Sequence, residues 1–407
     1  MTEAPASGWS VFRFRDFRAF CAARFMTGIA MQVHNVGLGW LVYDRTGSVM
    51  ALGLVGLAAF LPALLLALVA GAVADRYDRR LIMVACWSII ALGDLALLAV
   101  ALNPSLPVWP IFLLTVLVGG SRSFANPASQ ALLPNLVPRP YFAHAVTMAT
   151  TAWQSSSIAG PALGGFLYAL GPAVVFGFAS ASFALAAIAI ATVRPREQGG
   201  PNRARPTLES LFAGIGFIKS RPAILGAISL DLFAVLLGGA VALLPVYAKD
   251  ILHTGPWGLG LLRSAPALGA VGMTLVLASY PLRRHAGRRM FTAVAVFGLA
   301  TIVFGLSTHF WLSMAALFVT GAADMVSVVV RQTLVQAETP DDMRGRVSAV
   351  NSVFIGASNE LGEFESGALA AAVGPVGSVV IGGIGTVIVA ALWTRLFPTL
   401  WKRDALV

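Results

Sequence analysis

Long apolar runs alternate with short polar loops along almost the whole chain. A helix needs about 20 mostly apolar residues to cross the hydrocarbon core of a bilayer. About twelve runs satisfy that length, near 17–43, 49–74, 81–102, 109–132, 145–170, 173–193, 223–247, 257–280, 290–306, 311–330, 347–373 and 376–397. Helices are expected because each satisfies its own backbone hydrogen bonds, and the alternating pattern of barrel strands is absent. The pattern predicts an all-α membrane protein with twelve transmembrane helices.

Composition places the chain in the same class. Of 407 residues, 57% are hydrophobic and 11% are charged, and the mean hydropathy is +0.81. A soluble globular domain has about 25% charged residues, so that class is excluded. The two cysteines, Cys21 and Cys86, lie in or beside apolar segments and offer neither a disulfide framework nor a zinc site. We expect no cleaved signal peptide, since no small-residue cleavage site follows a short apolar core at the N-terminus.

The net charge of +10 is distributed as in an oriented membrane protein rather than a nucleic-acid binder. Clusters of basic residues occupy alternate loops, near 13–24, 76–80, 139, 194–221, 283–289, 344–346 and 402–403. The opposite loops carry little beyond Arg45 and Lys249. Because basic loops stay in the cytoplasm, both termini are predicted to be cytoplasmic. An even number of spans requires the two termini to share a side, so the count and the charges agree.

Short patterns recur at a spacing near half the chain length. Leu52-Gly53-Leu54 recurs as Leu259-Gly260-Leu261, Gln130 and Pro138 as Gln332 and Pro340, and Gly171-Pro172 as Gly374-Pro375. The common order and offset predict two similar halves, with a substrate site at their interface. We therefore expect an N-terminal six-helix bundle over 1–193, a cytoplasmic linker over 194–221 and a C-terminal bundle over 222–407. Apolar residues at helical spacing in 208–218 predict an amphipathic helix on the membrane surface or, more simply, an ordinary linker helix.

The loop after the second span reads Gly71-Ala-Val-Ala-Asp75-Arg76-Tyr-Asp78-Arg79-Arg80. It resembles the signature loop of the major facilitator superfamily, Gly-x-x-x-Asp-Arg-x-Gly-Arg-Arg, and departs from it at Asp78. The resemblance implies two pseudo-symmetric six-helix bundles and alternating access by rocking. It also implies that span eleven is the neighbour whose positive N-terminus an aspartate can face. We expect Gly71, Asp75, Arg76, Arg79 and Arg80 to gate the cytoplasmic side; a topogenic basic loop is the alternative.

The fifth span contains Ser156-x-x-x-Gly160-Pro161-Ala-Leu-Gly164-Gly165. It is similar to the antiporter motif of drug exporters in the same superfamily, with Ser156 in place of the first glycine. The resemblance implies export rather than uptake, with Gly160, Pro161, Gly164 and Gly165 shaping the moving helix. Simple helix packing is the alternative, since Gly and Pro are common in membrane helices.

Three further segments narrow the resemblance. They are residues 124–134 at the end of span four, 341–347 at the start of span eleven and 243–248 at the end of span seven. Together they resemble the enterobactin-exporter-type branch of the superfamily, a proton-dependent efflux group also called secretion effectors. The resemblance covers nearly the whole chain. It implies an amphipathic drug- or siderophore-like substrate without identifying it.

Ionisable groups inside membrane helices are functional candidates because they are costly to bury. Glu360 and Glu363 are three residues apart and share one face of span eleven, whereas Glu365 points elsewhere. Two carboxylates on one face in a low dielectric should not both ionise freely, which suits a proton carrier. The other candidates for proton coupling are Asp231, Asp324 and Asp94, with Arg263, Arg331 and Arg122 as possible partners. Static ion pairs that hold helices together are the alternative.

Polar and aromatic residues in the spans are candidates for substrate contact. Span one carries Gln32, His34 and Asn35, and in the resembling fold this span lines the central cavity. The remaining candidates are Trp153, Gln154, Phe233, Arg263 and Asn359. A weakly polar, aromatic cavity suits an amphipathic organic molecule. A lone histidine is also commonly a hydrogen-bonded structural residue.

The main hypothesis is a proton-coupled exporter in the inner membrane, acting as a monomer. A lipid or lysolipid flippase of the same fold is one alternative, and a non-transporting sensor or scaffold is another. No phosphate-binding glycine loop, His-Glu-x-x-His or metal cluster is present in the sequence, so we expect no enzyme activity, no metal and no cofactor. The predicted partners are the substrate, protons and the bilayer, with no nucleic acid.

The gating hypothesis makes a prediction about Asp75. Replacing Asp75 with Asn removes the charge that would face the helix terminus, so Asp75→Asn should shift the population towards the inward-facing state. Cysteine accessibility labelling from the two sides of the membrane measures that population. No shift in labelling would refute the latch.

Overall fold

The computed structural model describes residues 8–194, 208–280, 282 and 284–404. In that part of the chain all regular structure is helical and no strand is present. The α-helices are α1 Arg15–Thr46, α2 Val49–Arg76, α3 Arg79–Leu102, α4 Trp109–Leu132, α5 Phe142–Ala169, α6 Pro172–Ala191, α7 Leu208–Ser220, α8 Pro222–Leu237, α9 Leu244–Val246, α10 Gly255–Ser279, α11 Ala286–Leu306, α12 Phe310–Glu338, α13 Asp341–Val373, α14 Pro375–Leu396 and α15 Pro398–Trp401.

Twelve helical segments in the described ranges have the length that a membrane span requires, if α8 is taken with its continuation as Pro222–Ile251. Eight are also apolar enough by composition: those in α2, α3, α6, Pro222–Ile251, α10, α11, α12 and α14. The other four, α1, α4, α5 and α13, are long but contain polar residues within their apolar stretches. Such residues are tolerated in membrane helices that turn them towards protein or a cavity.

The chain divides into two compact units. The first unit consists of Met1–Leu41 and Leu61–Arg205, and the second of Val42–Phe60 and Pro206–Val407. Within the second unit, the first part of α2 packs on α13, because a Cβ built on Gly53 would lie 3.2 Å from Gly367 Cα. Residues 195–207 of the predicted linker lie outside the described residues.

In the first unit, α3 packs against α4 and α6, and Ser180 Oγ in α6 donates a hydrogen bond of 2.8 Å to the Ala91 carbonyl in α3. Small residues bring α5 into close contact with α1. A Cβ built on Gly160 would lie 2.6 Å from Gln32 Cβ, and one built on Gly28 would lie 2.7 Å from Ser156 Cβ. Ser156 Oγ also donates to the Phe25 carbonyl at 3.0 Å. Positions 156, 160 and 164 therefore form the small-residue face that membrane helices use to approach closely.

In the second unit, the predicted seventh span is not one continuous helix. α8 ends at Leu237, and Gly238 and Gly239 separate it from a 3-10 turn, the short α9 and a π-helix at Tyr247–Ile251. Gly239 lies against the backbone of Gly362 in α13, where an added Cβ would be only 3.0 Å from the Gly362 carbonyl group. Discontinuous helices expose backbone polar groups, and membrane proteins accept them where protein or a cavity satisfies those groups.

The helix predicted over 208–218 is present as α7, and it packs on protein. A Cβ built on Gly214 would lie 3.0 Å from the Arg346 carbonyl of α13, and Ile218 is 3% exposed. Phe212 is exposed on another side. The amphipathic pattern of this segment thus reflects burial of one face against α13.

The repeated Gly-Pro pair has the same local role in both places. Gly171 caps α6 with φ 129°, and Gly374 caps α14 with φ 82°. Both angles lie in the region that favours glycine, and the following proline suits the first helical position because it has no N–H to satisfy.

Close packing of α5 on α1 predicts a steric penalty at Gly160. The alanine methyl of Gly160→Ala would clash with the Gln32 side chain, so the variant should unfold at a lower temperature. Its free energy of unfolding should fall by about 1–3 kcal/mol. Gly177→Ala in α6 is the matched control, because nothing lies within 4 Å of its Cβ position. Thermal unfolding of both variants in the same detergent measures the difference. Equal stability of the two would contradict the packing assignment.

Candidate functional site

The first two residues of α3, Arg79 and Arg80, anchor the start of this helix. Arg79 Nη1 donates to the Ala131 carbonyl at 3.0 Å, and Arg80 Nη1 donates to the Val193 carbonyl at 3.2 Å. The Asp78 side chain caps α3 by accepting from the Arg80 backbone N–H at 2.8 Å. Asp78 thus has a structural use at the position where the resembling motif has glycine.

The other predicted gating residues are placed differently. Asp75 and Arg76 are exposed at the end of α2, and neither forms a hydrogen bond or ion pair with the residues that the structure describes. Gly71 is half-buried one turn before Asp75. Gly160, Pro161, Gly164 and Gly165 are buried, and the first and third of them contact α1. The predicted latch remains a hypothesis about Asp75.

The first unit contains a cavity of ≈ 260 Å³. Its lining consists of Arg24, Thr27, Met31, Trp87, Ile90, Arg122, Ala125, Asn126, Ser129, Gln130, Trp153 and Phe183. Arg24 Nε donates to the Ala149 carbonyl at 3.1 Å and Nη1 to Ser129 Oγ at 3.3 Å, and its guanidinium lies 5.6 Å from the centre of the Trp153 ring. Of the predicted substrate residues, Trp153 is the one that lines this cavity.

His34 and Asp94 form a buried pair away from that lining. His34 Nδ1 and Asp94 Oδ1 are 2.6 Å apart, and the side chains are 2% and 0% exposed. The His34 ring stands edge-on to Phe176, and Asp94 Oδ2 is without a hydrogen-bond partner in the described part of the chain. The structure therefore joins a predicted substrate residue to a predicted proton-coupling residue and links α1 to α3.

The remaining predicted substrate residues are scattered. Gln32 packs against Gly160, Asn35 is half-buried and Gln154 is exposed. In the second unit, the Phe233 ring packs at a tilt of 57° against Trp393, with ring centres 5.3 Å apart. Asn359 Nδ2 donates to the Ile355 carbonyl of its own helix at 3.0 Å.

Arg263 is half-buried in α10, with no hydrogen bond or ion pair to the described residues. Within each unit, these predicted residues do not converge on one pocket.

A cluster of charged and polar groups ties three helices of the second unit together. Arg331 in α12 binds Asp231 Oδ2 in α8 through Nη2 at 3.2 Å, and Asn351 Oδ1 in α13 through Nη1 at 2.9 Å. The Arg331 and Asp231 side chains are 3% and 8% exposed. From the sequence, either Arg263 or Arg331 could pair with an acid of the second half. In the structure it is Arg331 that does so.

A second carboxylate faces the same small space. Asp231, Asp324 and Ser327 line a cavity of ≈ 10 Å³, and Ser327 Oγ has no hydrogen-bond partner among the described residues. Asp324 lies in α12 seven residues before Arg331, which is two helical turns along one face. One buried guanidinium is therefore accompanied by two carboxylates.

The glutamates of α13 lie in a different region of the second unit. Glu360 is nine residues beyond Asn351, a rise of roughly 14 Å along the helix. Glu363 is close to the first part of α2, since a Cβ built on Gly56 would lie 2.9 Å from Glu363 Cβ. Glu360, Glu363 and Glu365 are all half-buried. The predicted proton-coupling acids thus separate into the Asp231–Asp324 cluster, the α13 glutamates and Asp94.

Several residues of these sites were not among the predicted site residues, including Arg24, Arg122, Arg331 and Asn351. Arg24 was counted with the cytoplasmic charges, and Arg122 and Arg331 as possible ion-pair partners. One signal was available for Arg122, because an arginine well inside an apolar run is rare. Asn351 carried no such signal, since its role depends on the neighbour that it meets.

The Arg331–Asp231 pair predicts a large stability loss on breaking one side. Asp231→Asn removes the carboxylate that binds the buried Arg331 guanidinium at 3.2 Å, so the free energy of unfolding should fall by about 3–5 kcal/mol. The double variant Asp231→Leu with Arg331→Met should recover most of that loss. Asp44→Asn, which breaks the exposed 2.5 Å pair with Lys249, is the control and should cost about 0–1 kcal/mol. Thermal unfolding measures both losses, and a loss of stability in Asp231→Asn as small as that of the control would contradict a buried ion pair.

Comparisons with known proteins agree on the family. The sequence matches a family model described as transmembrane secretion effector over residues 6–405. Enterobactin exporter EntS of Citrobacter koseri is 29% identical over 378 residues, which covers 89% of this chain and 87% of the exporter. Enterobactin exporter EntS of Shigella boydii is 28% identical with the same coverage.

Solved structures show the same fold at low identity. A bacterial homologue of the human lysosomal transporter Spinster superposes with a TM-score of 0.75 at 15% identity, covering 95% of this chain and 98% of that one. The nucleoside transporter NupG superposes with a TM-score of 0.68 at 16% identity over 94% of this chain and 100% of that one. The chain therefore belongs to the transmembrane secretion effector family of the major facilitator superfamily, and it is a multi-pass membrane transporter, not an enzyme.

Proposed function

We propose that this transporter is a secondary active exporter of the inner membrane, which moves an amphipathic, drug- or siderophore-like molecule outwards in exchange for protons by alternating access. Relatives named as enterobactin exporters support the direction and the substrate class. The observation that carries proton coupling is the Asp231–Arg331–Asp324 cluster.

The charge balance of that cluster suits binding of one proton. With both carboxylates ionised, one guanidinium and two carboxylates carry a net charge of −1, and the Arg331 and Asp231 side chains are only 3% and 8% exposed. One added proton brings the cluster to neutrality, which a low dielectric favours. The Asp231–Asp324 cavity of ≈ 10 Å³ is close to the smallest volume that holds one water molecule.

Protonation would also act on the helices. Arg331 contacts Asp231 in α8 and Asn351 in α13, so a proton on Asp231 weakens the ionic link between α8 and α12 while the amide contact with α13 remains. A site that changes its helix contacts with one proton can bias two conformations, as coupling requires. The Asp324 carboxylate offers Arg331 an alternative counter-charge on its own helix.

Flux in proteoliposomes tests this coupling. With enterobactin as the probe, an imposed pH gradient should drive transport by the unmodified protein. Asp324→Asn should reduce gradient-driven flux to the level of protein-free liposomes, because the cluster no longer cycles between charge states. Substrate exchange without a gradient should persist. Asp44→Asn, at the exposed pair with Lys249, is the control and should transport normally.

Glu360→Gln and Glu363→Gln separate the two groups of acids. If both retain gradient-driven flux while Asp324→Asn loses it, coupling belongs to the Asp231–Asp324 cluster. If Asp324→Asn and Asp231→Asn transport normally and the glutamate variants fail, coupling belongs to α13. Normal flux in all four variants would refute proton coupling through these acids.

A further inference from the structure

The cavity of the first unit contains positive charge without the matching negative charge. Two guanidinium groups, those of Arg24 and Arg122, line it, and none of the twelve described lining residues is Asp or Glu. Arginine stays protonated in proteins, so both groups are charged whatever the pH. By contrast, Arg331 in the second unit is paired with the Asp231 carboxylate, and His34 in the first unit lies 2.6 Å from the Asp94 carboxylate.

The two arginines differ in how they are held. Arg24 is fixed by the Ala149 carbonyl and Ser129 Oγ, which are neutral acceptors and leave its charge uncompensated. Arg122 forms no hydrogen bond or ion pair with any residue that the structure describes, and it is half-buried in α4. A forked guanidinium without a partner matches a carboxylate, phosphate or catecholate, each of which accepts two parallel hydrogen bonds.

The rest of the lining is aromatic and apolar. Trp87, Phe183 and Trp153 contribute rings, and Trp153 is 38% exposed. The Arg24 guanidinium lies over Trp153 and orients that ring at the cavity wall. Amide and hydroxyl groups of Asn126, Ser129 and Gln130 supply a few polar contacts, the usual composition of a site for a small organic ligand.

We propose that this cavity binds the anionic group of the exported molecule, and that the substrates of this transporter are aromatic organic anions. The anion neutralises Arg24 and Arg122, and its ring packs on Trp153 and Trp87. This inference rests on the proposed export function for its biological meaning. The binding site itself is testable without transport.

Charge-matched probes test the site on the full-length protein in phosphatidylcholine nanodiscs at equilibrium, with no gradient. The probes are 1-naphthoate, 1-naphthamide and 1-naphthylmethylammonium, which share one ring system and differ in charge. We expect 1-naphthoate to bind most tightly. Arg122→Gln should weaken 1-naphthoate roughly 10- to 100-fold and leave 1-naphthamide unchanged, because a charge-assisted hydrogen bond is lost.

Two further variants keep the test decisive. Arg395→Gln makes the same chemical change at an exposed arginine of α14 that lies outside this cavity, and it should not alter 1-naphthoate affinity. Asn126→Glu places a carboxylate one turn from Arg122, so it should weaken 1-naphthoate and favour 1-naphthylmethylammonium. This variant answers the question even if Arg122→Gln does not fold.

Three results would overturn the proposal. Equal binding of the three probes, or unchanged 1-naphthoate affinity in both folded cavity variants, shows that charge is not recognised there. Loss of 1-naphthoate binding when phosphatidylglycerol is added to the discs, in the unmodified protein but not in Arg122→Gln, assigns the arginines to an anionic lipid headgroup.

Charge-selective binding without pH-driven flux refutes proton-coupled export instead and supports the anion site.

Discussion

No water inside the bilayer replaces a hydrogen bond that a buried group fails to make, so each charge in the helices must be matched by protein or by ligand. The Arg331 guanidinium meets this requirement by binding Asp231 in α8 and Asn351 in α13. The His34–Asp94 pair meets it in the first unit by joining α1 to α3. Apolar helix faces alone would tolerate sliding or rotation. These directional contacts specify which residues face each other.

Close packing is the second constraint, and it accounts for much of the α5 motif. Ser156, Gly160 and Gly164 recur every four residues and let α5 approach the backbone and side chains of α1. Lipid gives helices little hydrophobic reason to associate, so this contact relies on close van der Waals packing and on the Ser156 hydrogen bond. The motif therefore has a structural use in this chain, and the proposed export direction rests on the named relatives.

The charges of the two units differ in kind. In the second unit, Arg331 is accompanied by Asp231 and Asp324, a composition that can take up and release a proton. In the first unit, the cavity has Arg24 and Arg122 with no carboxylate in its described lining. A compensated cluster suits coupling, and an uncompensated one suits an anionic ligand. In the proposed function, the same electrostatic rule thus assigns proton coupling to the second unit and substrate recognition to the first.

Much of the architecture follows from the sequence, because span length and hydrophobicity are local properties. Twelve spans were predicted, and twelve helical segments of sufficient length are present in the described ranges. The recurring Gly-Pro pairs also mark equivalent helix starts, at Gly171 and Gly374, since the cap geometry depends on neighbouring residues alone. The break of the seventh span at Gly238 was not predicted, although the glycine pair marked it.

Partners of the charged residues could not be predicted in the same way. By itself, the sequence determined the membrane class, the helical segments, the resemblance to major facilitator exporters and the list of costly buried groups. The tertiary structure alone decided that Arg331 meets Asp231 and Asn351, that His34 meets Asp94, and that Arg24 and Arg122 share one cavity. The physical reason is that the hydrophobicity of a segment depends only on its own residues. An ion pair depends on how each helix is rotated and how deep it lies in the membrane, and both are set by packing between distant segments.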